Sequence, residues 1–353
     1  MARILVLNLG STSSKVAIYE DGVCVRSETI RHQLQITSLS LIDQKAPRKK
    51  EIEHFINYTM NMNFNQIDAI ACRGGLLKPI PGGVYDVNDK MYHDLKICKY
   101  GVHASNLSGI IGYEIAQLYK IPAFTVDPVV VDEMISIARL TGIEGIERRS
   151  VFHALNQKAV AHMYANSINK RYSEVNVIVA HMGGGITIGA HKKGNVIDVN
   201  DGLLGDGPFS PERSGSIPND QLYQFGYQHN FTPTEMNHFL SKECGFISMF
   251  KTNDLEQLSK MYDTDSKVKL TFDALAYQVA KSIGERAVTL QGNIDQIILT
   301  GGLSYNAHIN NQIQSYVDWI APVIVYPGEK EMDALAVRTT AVLNGNELAK
   351  AYS

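Results

Sequence analysis

The sequence predicts an α/β protein built from two similar halves. Three observations predict it. Short apolar runs that read as strands alternate with segments of helical periodicity, the pattern of mixed α/β folds. An apolar strand, a turn of small polar residues and a second strand open the chain at residues 4–22, and the same scheme returns about half a chain later at residues 177–191. The length, 353 residues, is that of two domains at ~100–200 residues each.

The elements follow in order. Residues 4–10 (ILVLNLG) form an apolar run ending in turn chemistry, and residues 16–22 (VAIYEDG) form a second strand. Asp21-Gly22 then favours a hairpin turn. Residues 43–50 are dense in charge and read as a solvated loop. Residues 69–72 (AIAC) are a short strand, residues 105–120 a helix with Ser105 as its cap, and residues 122–127 (PAFTVD) a strand. Residues 153–172 carry apolar positions at helical spacing. Strands are predicted at 175–182, 186–191 and 195–199, a helix over 272–292 ending at Gly292, and strands at 294–302 and 322–328. A last helix begins near Asp333. The predicted division is residues 1–150 with 333–353 as one domain and 151–332 as the other.

Composition excludes several classes. Thirty-three Lys and Arg against 36 Asp and Glu leave a net charge of -3, whereas an electrostatic nucleic-acid binder carries a basic excess. Cys24, Cys72, Cys98 and Cys244 form no CxxC, so neither a disulfide framework nor a zinc knuckle is indicated, and a reducing, cytoplasmic setting is expected. The first residues read as a strand without a secretory leader pattern. No apolar run approaches the ~20 residues that cross a bilayer.

Three junctions carry chemistry. Gly10, Ser11, Thr12, Ser13, Ser14 and Lys15 place backbone N–H groups, four hydroxyls and an ammonium in one bend. Such bends form anion-binding concavities, and a polar hairpin turn is the alternative. No GxxxxGK[ST] occurs, so this is not a P-loop. Gly183, Gly184 and Gly185, followed by Ile186 and Thr187, weaken two strands through backbone entropy. Close approach to a ligand explains that cost, and a bulge or tight packing is the alternative. Thr300-Gly301-Gly302, after a strand, is a third junction of this kind, with an ordinary turn as its alternative.

The ordered set NLGSTSSK, CRGGLLKPIPGGVY, HASNL, VDPVVVDEM, FHALNQKAVA, AHMGGGITIGAH, GPFSPERSG, LTGG and PGEKEMDALA closely resembles the butyrate kinase family, within the acetate and sugar kinase, Hsp70 and actin superfamily. The resemblance spans essentially the whole chain. It implies two RNase H-like domains around a nucleotide cleft. It also implies reversible, direct transfer of phosphoryl from ATP to a short or branched carboxylate, giving ADP and an acyl phosphate, with Mg²⁺. A soluble homo-oligomer acting on a small acid and a nucleotide, without nucleic acid or membrane, is expected. An acetate or propionate kinase on the same scaffold, or a non-catalytic nucleotide-switched binding protein, are the rival readings.

The resemblance also implies site residues. Arg73 and Arg213 match arginines directed at the carboxylate and the transferred phosphoryl group. His153 and His181 match positions near that group, and Asp127 helps hold Mg²⁺ or orients the site. Asn8, Gly10, Ser11, Thr12, Ser13, Lys15, Gly183, Gly184, Gly185, Thr187, Thr252, Asn253, Asp254, Gly301 and Gly302 match nucleotide positions. Glu331, with Glu329 as the alternative register, supports Mg²⁺ beside Asn8 and Asp127. Gly74, Gly75, Val102, His103 and Phe152 match the acid pocket. Acetate kinases have Val at the position of Gly75, so its loss opens room for a longer tail. Glu256 stands where a nucleotide-contact loop often has Arg, which puts purine selectivity in doubt. A short carboxylic acid is ionised at neutral pH, so the nucleophile needs no base. The difficulty is bringing an anion to a polyanion, and preorganised positive charge meets it.

Overall fold

The structure is a computed structural model that describes residues 2–204 and 206–353. It has two compact units. One consists of the chain up to Asp132 together with Lys330–Ser353, the other of Glu133–Glu329.

The first unit carries strands β1 (Arg3–Leu9), β2 (Ser13–Glu20), β3 (Val23–Arg31), β4 (Ala69–Cys72), β5 (Val84–Asp86) and β6 (Ala123–Val126). They form one sheet in the order β3-β2-β1-β4-β6-β5. β1, β2 and β3 are an antiparallel meander, β4 runs parallel to β1, and β6 parallel to β4. β1 is central and its residues after Arg3 are buried, which is why it reads as an unbroken apolar run rather than an alternation. Leu5, Leu7 and Leu9 join Leu107, Ile110, Ile111 and Ile115 of the helix Asn106–Tyr119 in one core. Gly112 lets that helix sit directly on Cys72, because a Cβ there would overlap the sulfur. The helix Glu331–Leu343 packs on β1, β4 and β6.

The second unit repeats the scheme. Strands β7 (Asn176–Met182), β8 (Ile186–Lys192), β9 (Asn195–Val199), β10 (Gln296–Gly301) and β11 (Val323–Pro327) lie in the order β11-β10-β7-β8-β9. β7–β8–β9 is the meander, and β10 and β11 are parallel to β7 and β10 respectively. Side chains alternate across a strand, and both faces are covered. Ile178, Ala180 and Met182 meet the helices Ser266–Thr289 and Ala307–Val317, while Val177 and Val179 meet the helix Ala154–Ser167.

The Asp21-Gly22 turn forms as expected, with φ of 47° and 83°, the positive pair a two-residue type I′ hairpin requires. The strand it leads into, β3, lies at the sheet edge and is almost wholly exposed, so its residues carry no apolar alternation. Three expectations are corrected. Ser105 makes no side-chain cap. Its hydroxyl lies 2.8 Å from His103 Nδ1 instead. The long helix of the second unit starts at Ser266, six residues before the apolar pattern, because Asp265 caps it through the N–H groups of Lys267 and Val268. Residues 43–50 are not a solvated loop. They enter the helix Lys45–His54, and Arg48 within it is 0% exposed. Among the described residues no helix is long and apolar enough to cross a membrane.

One buried ion pair ties the C-terminal helix to the sheet of the first unit. Arg338 Nη1 donates to Asp127 Oδ2 at 3.0 Å, and Arg338 also binds Glu347. Asp127 is 2% exposed and its Oδ1 accepts the Gly83 N–H at 2.7 Å. Removing one member of a buried pair leaves an uncompensated charge. Arg338→Met is therefore expected to lower stability by about 3–5 kcal/mol in urea unfolding, and a loss below about 1 kcal/mol would contradict this account of the pair.

Candidate active site

In the first unit the sheet places three side chains together. Asn8 lies on β1, Arg73 follows β4 with its N–H on Leu7 O at 2.8 Å, and Glu331 opens the C-terminal helix. Arg73 Nη1 donates to Asn8 Oδ1 at 3.2 Å, and its Nη2 lies 3.3 Å from Glu331 Oε1. Asn8 Nδ2 closes the triangle on Glu331 Oε2 at 3.0 Å. Glu331 is buried, while the Arg73 side chain keeps 34% of its surface open. The guanidinium is thus braced from behind and presented on one side. Of the two candidate glutamates, Glu331 is the one joined to Asn8 and Arg73.

The turn after β1 closes with Gly10 N–H on Ser13 O at 2.8 Å. Ser11, Thr12 and Lys15 are exposed around it. His103 Nδ1 accepts the Ser105 N–H at 3.2 Å, so the neutral ring carries its proton on Nε2. Surrounding atoms and then the Arg73 charge lower the His103 pKa, which keeps it a neutral donor near pH 7.

The second unit brings the histidines together. His153 and His181 stack with ring centroids 3.8 Å apart and an interplanar angle of 9°. Thr300 Oγ1 donates to Gly328 O, so it accepts from Asn156 Nδ2 at 3.2 Å. The same Nδ2 lies 2.8 Å from His181 Nδ1 and donates to it. His181 Nδ1 is therefore unprotonated and Nε2 bears the hydrogen. A Cβ on Gly183 would lie 3.1 Å from that Nε2, so the donor faces the glycine turn. His153 Nδ1 is held 2.9 Å from Thr187 Oγ1, which also accepts from Gln157 Nε2 at 2.8 Å. Asn156 and Gln157 escaped the sequence reading. Their signal was a polar pair inside an otherwise apolar helical stripe, and both are fully buried.

Arg213 lies against the same turn. A Cβ on Gly185 would fall 2.6 Å from Arg213 Cζ, so this glycine makes room for the guanidinium. Arg213 Nη1 donates to Gly202 O, while among the described residues its buried Nε has no partner. Ser210 Oγ links the two segments, donating to Gly184 O at 2.6 Å and accepting the Arg213 N–H at 3.2 Å. Burial lowers the Arg213 pKa, opposed by Glu212 and Asp201. Gly301 has φ of 89°, and a Cβ there would lie 2.7 Å from the carbonyl carbon of Met182. Gly302 has nothing near it and opens onto a cavity of about 870 Å³ lined by Leu255, Glu256, Tyr262, Asn306 and His308 among others. Thr252 and Asp254 shape the turn into the helix Leu255–Ser259, Asp254 Oδ1 accepting the Gln257 N–H at 2.9 Å; Asn253 is exposed between them.

The other expected residues are placed as follows. Asp127 sits in the ion pair with Arg338, with φ of 38°. Thr187 is turned inward onto His153 and Gln157 and is buried. Val102 is 71% exposed and Phe152 is buried. Gly74 and Gly75 do not open space. A Cβ on Gly75 would lie 2.6 Å from Asn106 Cα and overlap Asn106 Oδ1, and one on Gly74 would strike Pro128. Among the described residues no three His, Cys, Asp or Glu side chains gather as a metal site.

A profile of the acetokinase family matches residues 137–318, just over half of the chain. The chain belongs to the acetokinase family. Membership in this family fits phosphorylation of a carboxylate by ATP. The matched span lies within the second unit and holds His153, His181, Gly183–Gly185, Arg213 and Gly301–Gly302. Solved structures match nearly the whole chain. Porphyromonas gingivalis acetate kinase is similar with a TM-score of 0.78 at 17% identity, over 97% of this chain and 100% of that one. A propionate kinase from Francisella tularensis has a TM-score of 0.72 at 21% identity, over 96% and 99%. Acetate kinase from Entamoeba histolytica has a TM-score of 0.73 at 17% identity, over 95% and 98%. At these identities the likeness shows the fold. This acetokinase has the actin-like ATPase fold, with one mixed sheet in each unit.

The packing at position 75 generates a prediction. Gly75→Val is expected to lose activity on acetate and butyrate alike and to lower stability by about 1–3 kcal/mol through overpacking. Steady-state kcat/KM on both acids, with thermal unfolding alongside, checks it. A fall confined to butyrate at unchanged stability would contradict it.

Proposed function

We propose that this acetokinase phosphorylates butyrate or a similar short or branched carboxylate with ATP, reversibly, as a butyrate kinase does. A carboxylate oxygen attacks the γ-phosphorus in line, the bond from that phosphorus to the β,γ-bridging oxygen breaks, and ADP leaves. No proton moves, because the acid enters ionised. The observation that carries this reading is the Arg73 guanidinium, braced by Asn8 and Glu331 and open on its other side. A nucleotide sensor needs no such second anion site.

The remaining residues fit that chemistry. Arg213 brings a second guanidinium whose buried Nε lacks an acceptor among the described residues, and an unmet buried donor costs about 1–3 kcal/mol until an anion takes it. The His181 Nε2–H and the His103 Nε2–H are donors for phosphoryl or carboxylate oxygens. The turn at Gly10–Lys15 and the glycines at 183–185 and 301–302 receive phosphates, and the cavity beside Gly302 receives the nucleoside. Asn8 Oδ1 and the Glu331 carboxylate are hard oxygen ligands on residues joined through Asn8 Nδ2, and Mg²⁺ keeps most of its waters, so they suit Mg²⁺ held through water. When bound, Mg²⁺ would neutralise charge on the nucleotide phosphates. Asp127 is left out of this set. We place the enzyme in the cytoplasm, consistent with four unpaired cysteines.

A second reading, an acetate or propionate kinase, is favoured by the names of the structural neighbours and by the lack of space at Gly75. Trapping the acyl phosphate as hydroxamate with ATP, Mg²⁺ and straight C2 to C5 acids separates the two. The proposal expects the highest kcat/KM with butyrate. A maximum at acetate or propionate selects the second reading, and no hydroxamate with any acid overturns both. Arg73→Ala and Arg213→Ala are each expected to lower kcat by ~10²–10³-fold in a chain that still folds. Near-parental kcat in both would mean the anion site lies elsewhere.

A further inference from the structure

Arg48 is a buried cation that the site described above does not use. It lies on the helix Lys45–His54 and heads the largest fully buried side chains of the protein. Its hydrogen bonds go to no carboxylate. Nη1 donates to Gly10 O at 2.8 Å and to Ser14 Oγ at 3.3 Å. Nη2 donates to Ser11 O at 3.2 Å and to Gln44 Oε1 at 2.8 Å. Two of these four acceptors are carbonyls of the turn after β1, and a third, Ser14 Oγ, follows at once in β2.

The consequence follows from peptide planarity. In a trans peptide the C=O and the following N–H point in opposite directions. Holding Gly10 O and Ser11 O inward on one guanidinium therefore aims the N–H groups of Ser11 and Thr12 outward. Among the described residues neither N–H has an acceptor, and both residues are exposed. The turn thus presents two adjacent donors to solvent with a buried positive charge behind them. His32 completes the support. Its Nε2 lies 2.8 Å from Ser14 Oγ and its Nδ1 3.2 Å from Glu51 Oε2. Burial and the Arg48 charge push the His32 pKa down to about 4, so it is neutral near pH 7; Glu51, beyond it, also acts on the Arg48 charge, while the hydrogen bonds that hold the turn come from Arg48. Burying a guanidinium is costly, all the more as among the described residues the Arg48 Nε has no acceptor, and a helix-to-sheet contact alone could be made by a leucine.

We propose that Arg48 is a positioning residue for nucleotide phosphate: its planar fork fixes the carbonyls of the Gly10–Ser14 turn so that the Ser11 and Thr12 N–H groups meet a phosphate. This rests on the reading that the turn binds nucleotide. A lysine keeps the charge but cannot hold two carbonyls in one plane.

The test uses the full chain with Arg48→Lys, Arg48→Met and Thr12→Asp. ADP affinity is measured by calorimetry, and KM for ATP and for butyrate by initial rates. Hydrogen bonds to a charged group correspond to roughly 10–100-fold in affinity. Arg48→Met is expected to weaken ADP and raise KM for ATP by about that factor, Arg48→Lys by about 10-fold, with KM for butyrate within about 2-fold in both. A merely structural role would lower the unfolding midpoint and leave the KM for ATP unchanged, which overturns the proposal. If Arg48→Met does not fold, Arg48→Lys decides. Thr12→Asp puts a negative charge on the turn and is expected to weaken ADP. No effect there would overturn the phosphate reading of the turn itself, and so the proposal that rests on it. An effect of Thr12→Asp with both Arg48 variants silent in ADP affinity would overturn the Arg48 proposal alone.

Discussion

Guanidinium groups fixed in orientation by neutral groups as well as by carboxylates are the constraint on which this molecule depends. Arg73 meets it with two partners of different kind. Glu331 alone would make a closed ion pair, but Asn8 shares both the guanidinium and the carboxylate. The arginine is thereby fixed to β1 and to the first turn of the C-terminal helix, two elements far apart in sequence. Its outer side stays available. Arg213 is fixed by the backbone of Gly202 and by the room Gly185 leaves, and Arg48 by carbonyls of a turn. In each case much of the restraint comes from neutral amide or carbonyl groups, which orient a cation without cancelling its field.

The topology makes such placement repeatable. Both units run a three-stranded meander and then add parallel strands on the far side of the first strand. The turn between the first two strands of each meander follows a central, fully supported strand. In the first unit that turn holds Gly10–Ser13, in the second Gly183–Gly185. Each is anchored by groups from a different element: Arg48 below the first, and Ser210 and Arg213 beside the second. The helix Ala154–Ser167 brings Asn156 and Gln157 under the stacked histidines. The second unit thus holds both rings, and sets the His181 tautomer, through uncharged side chains.

How much was legible in the sequence depended on which physical signal each part carries. Central strands were clear because burial on both faces writes a continuous apolar run, as in β1 and β7. The type I′ hairpin was clear because Asp21-Gly22 suits its two positive φ values. The edge strand β3 was hidden because an exposed strand needs no apolar pattern. The helix over Lys45–His54 was misread for the converse reason. A buried arginine with carbonyl partners looks, in sequence, like one more solvated charge. At the site, the motif order pointed to a carboxylate kinase, of which membership in the acetokinase family is shown, and Asn8, Arg73 and Glu331 do come together. Space was not legible. Gly75 suggested an opened pocket, and the structure fills that volume with Asn106. Asp127 had the position of a site residue at a strand end, but its partner Arg338 lies 211 residues away, beyond any local pattern.

In this account the protein supplies held charge and oriented donors, and no side chain takes the phosphoryl group. On the proposed reading the stacked His153 and His181 assist the transfer without themselves being phosphorylated. The stereochemical course of transfer tests this most directly. ATP made chiral at the γ-phosphorus with oxygen isotopes is reacted with butyrate, and the configuration of the acyl phosphate is determined. Direct in-line transfer inverts the phosphorus once, so the account predicts inversion. Retention would require two displacements, hence a phosphorylated side chain, and would contradict it.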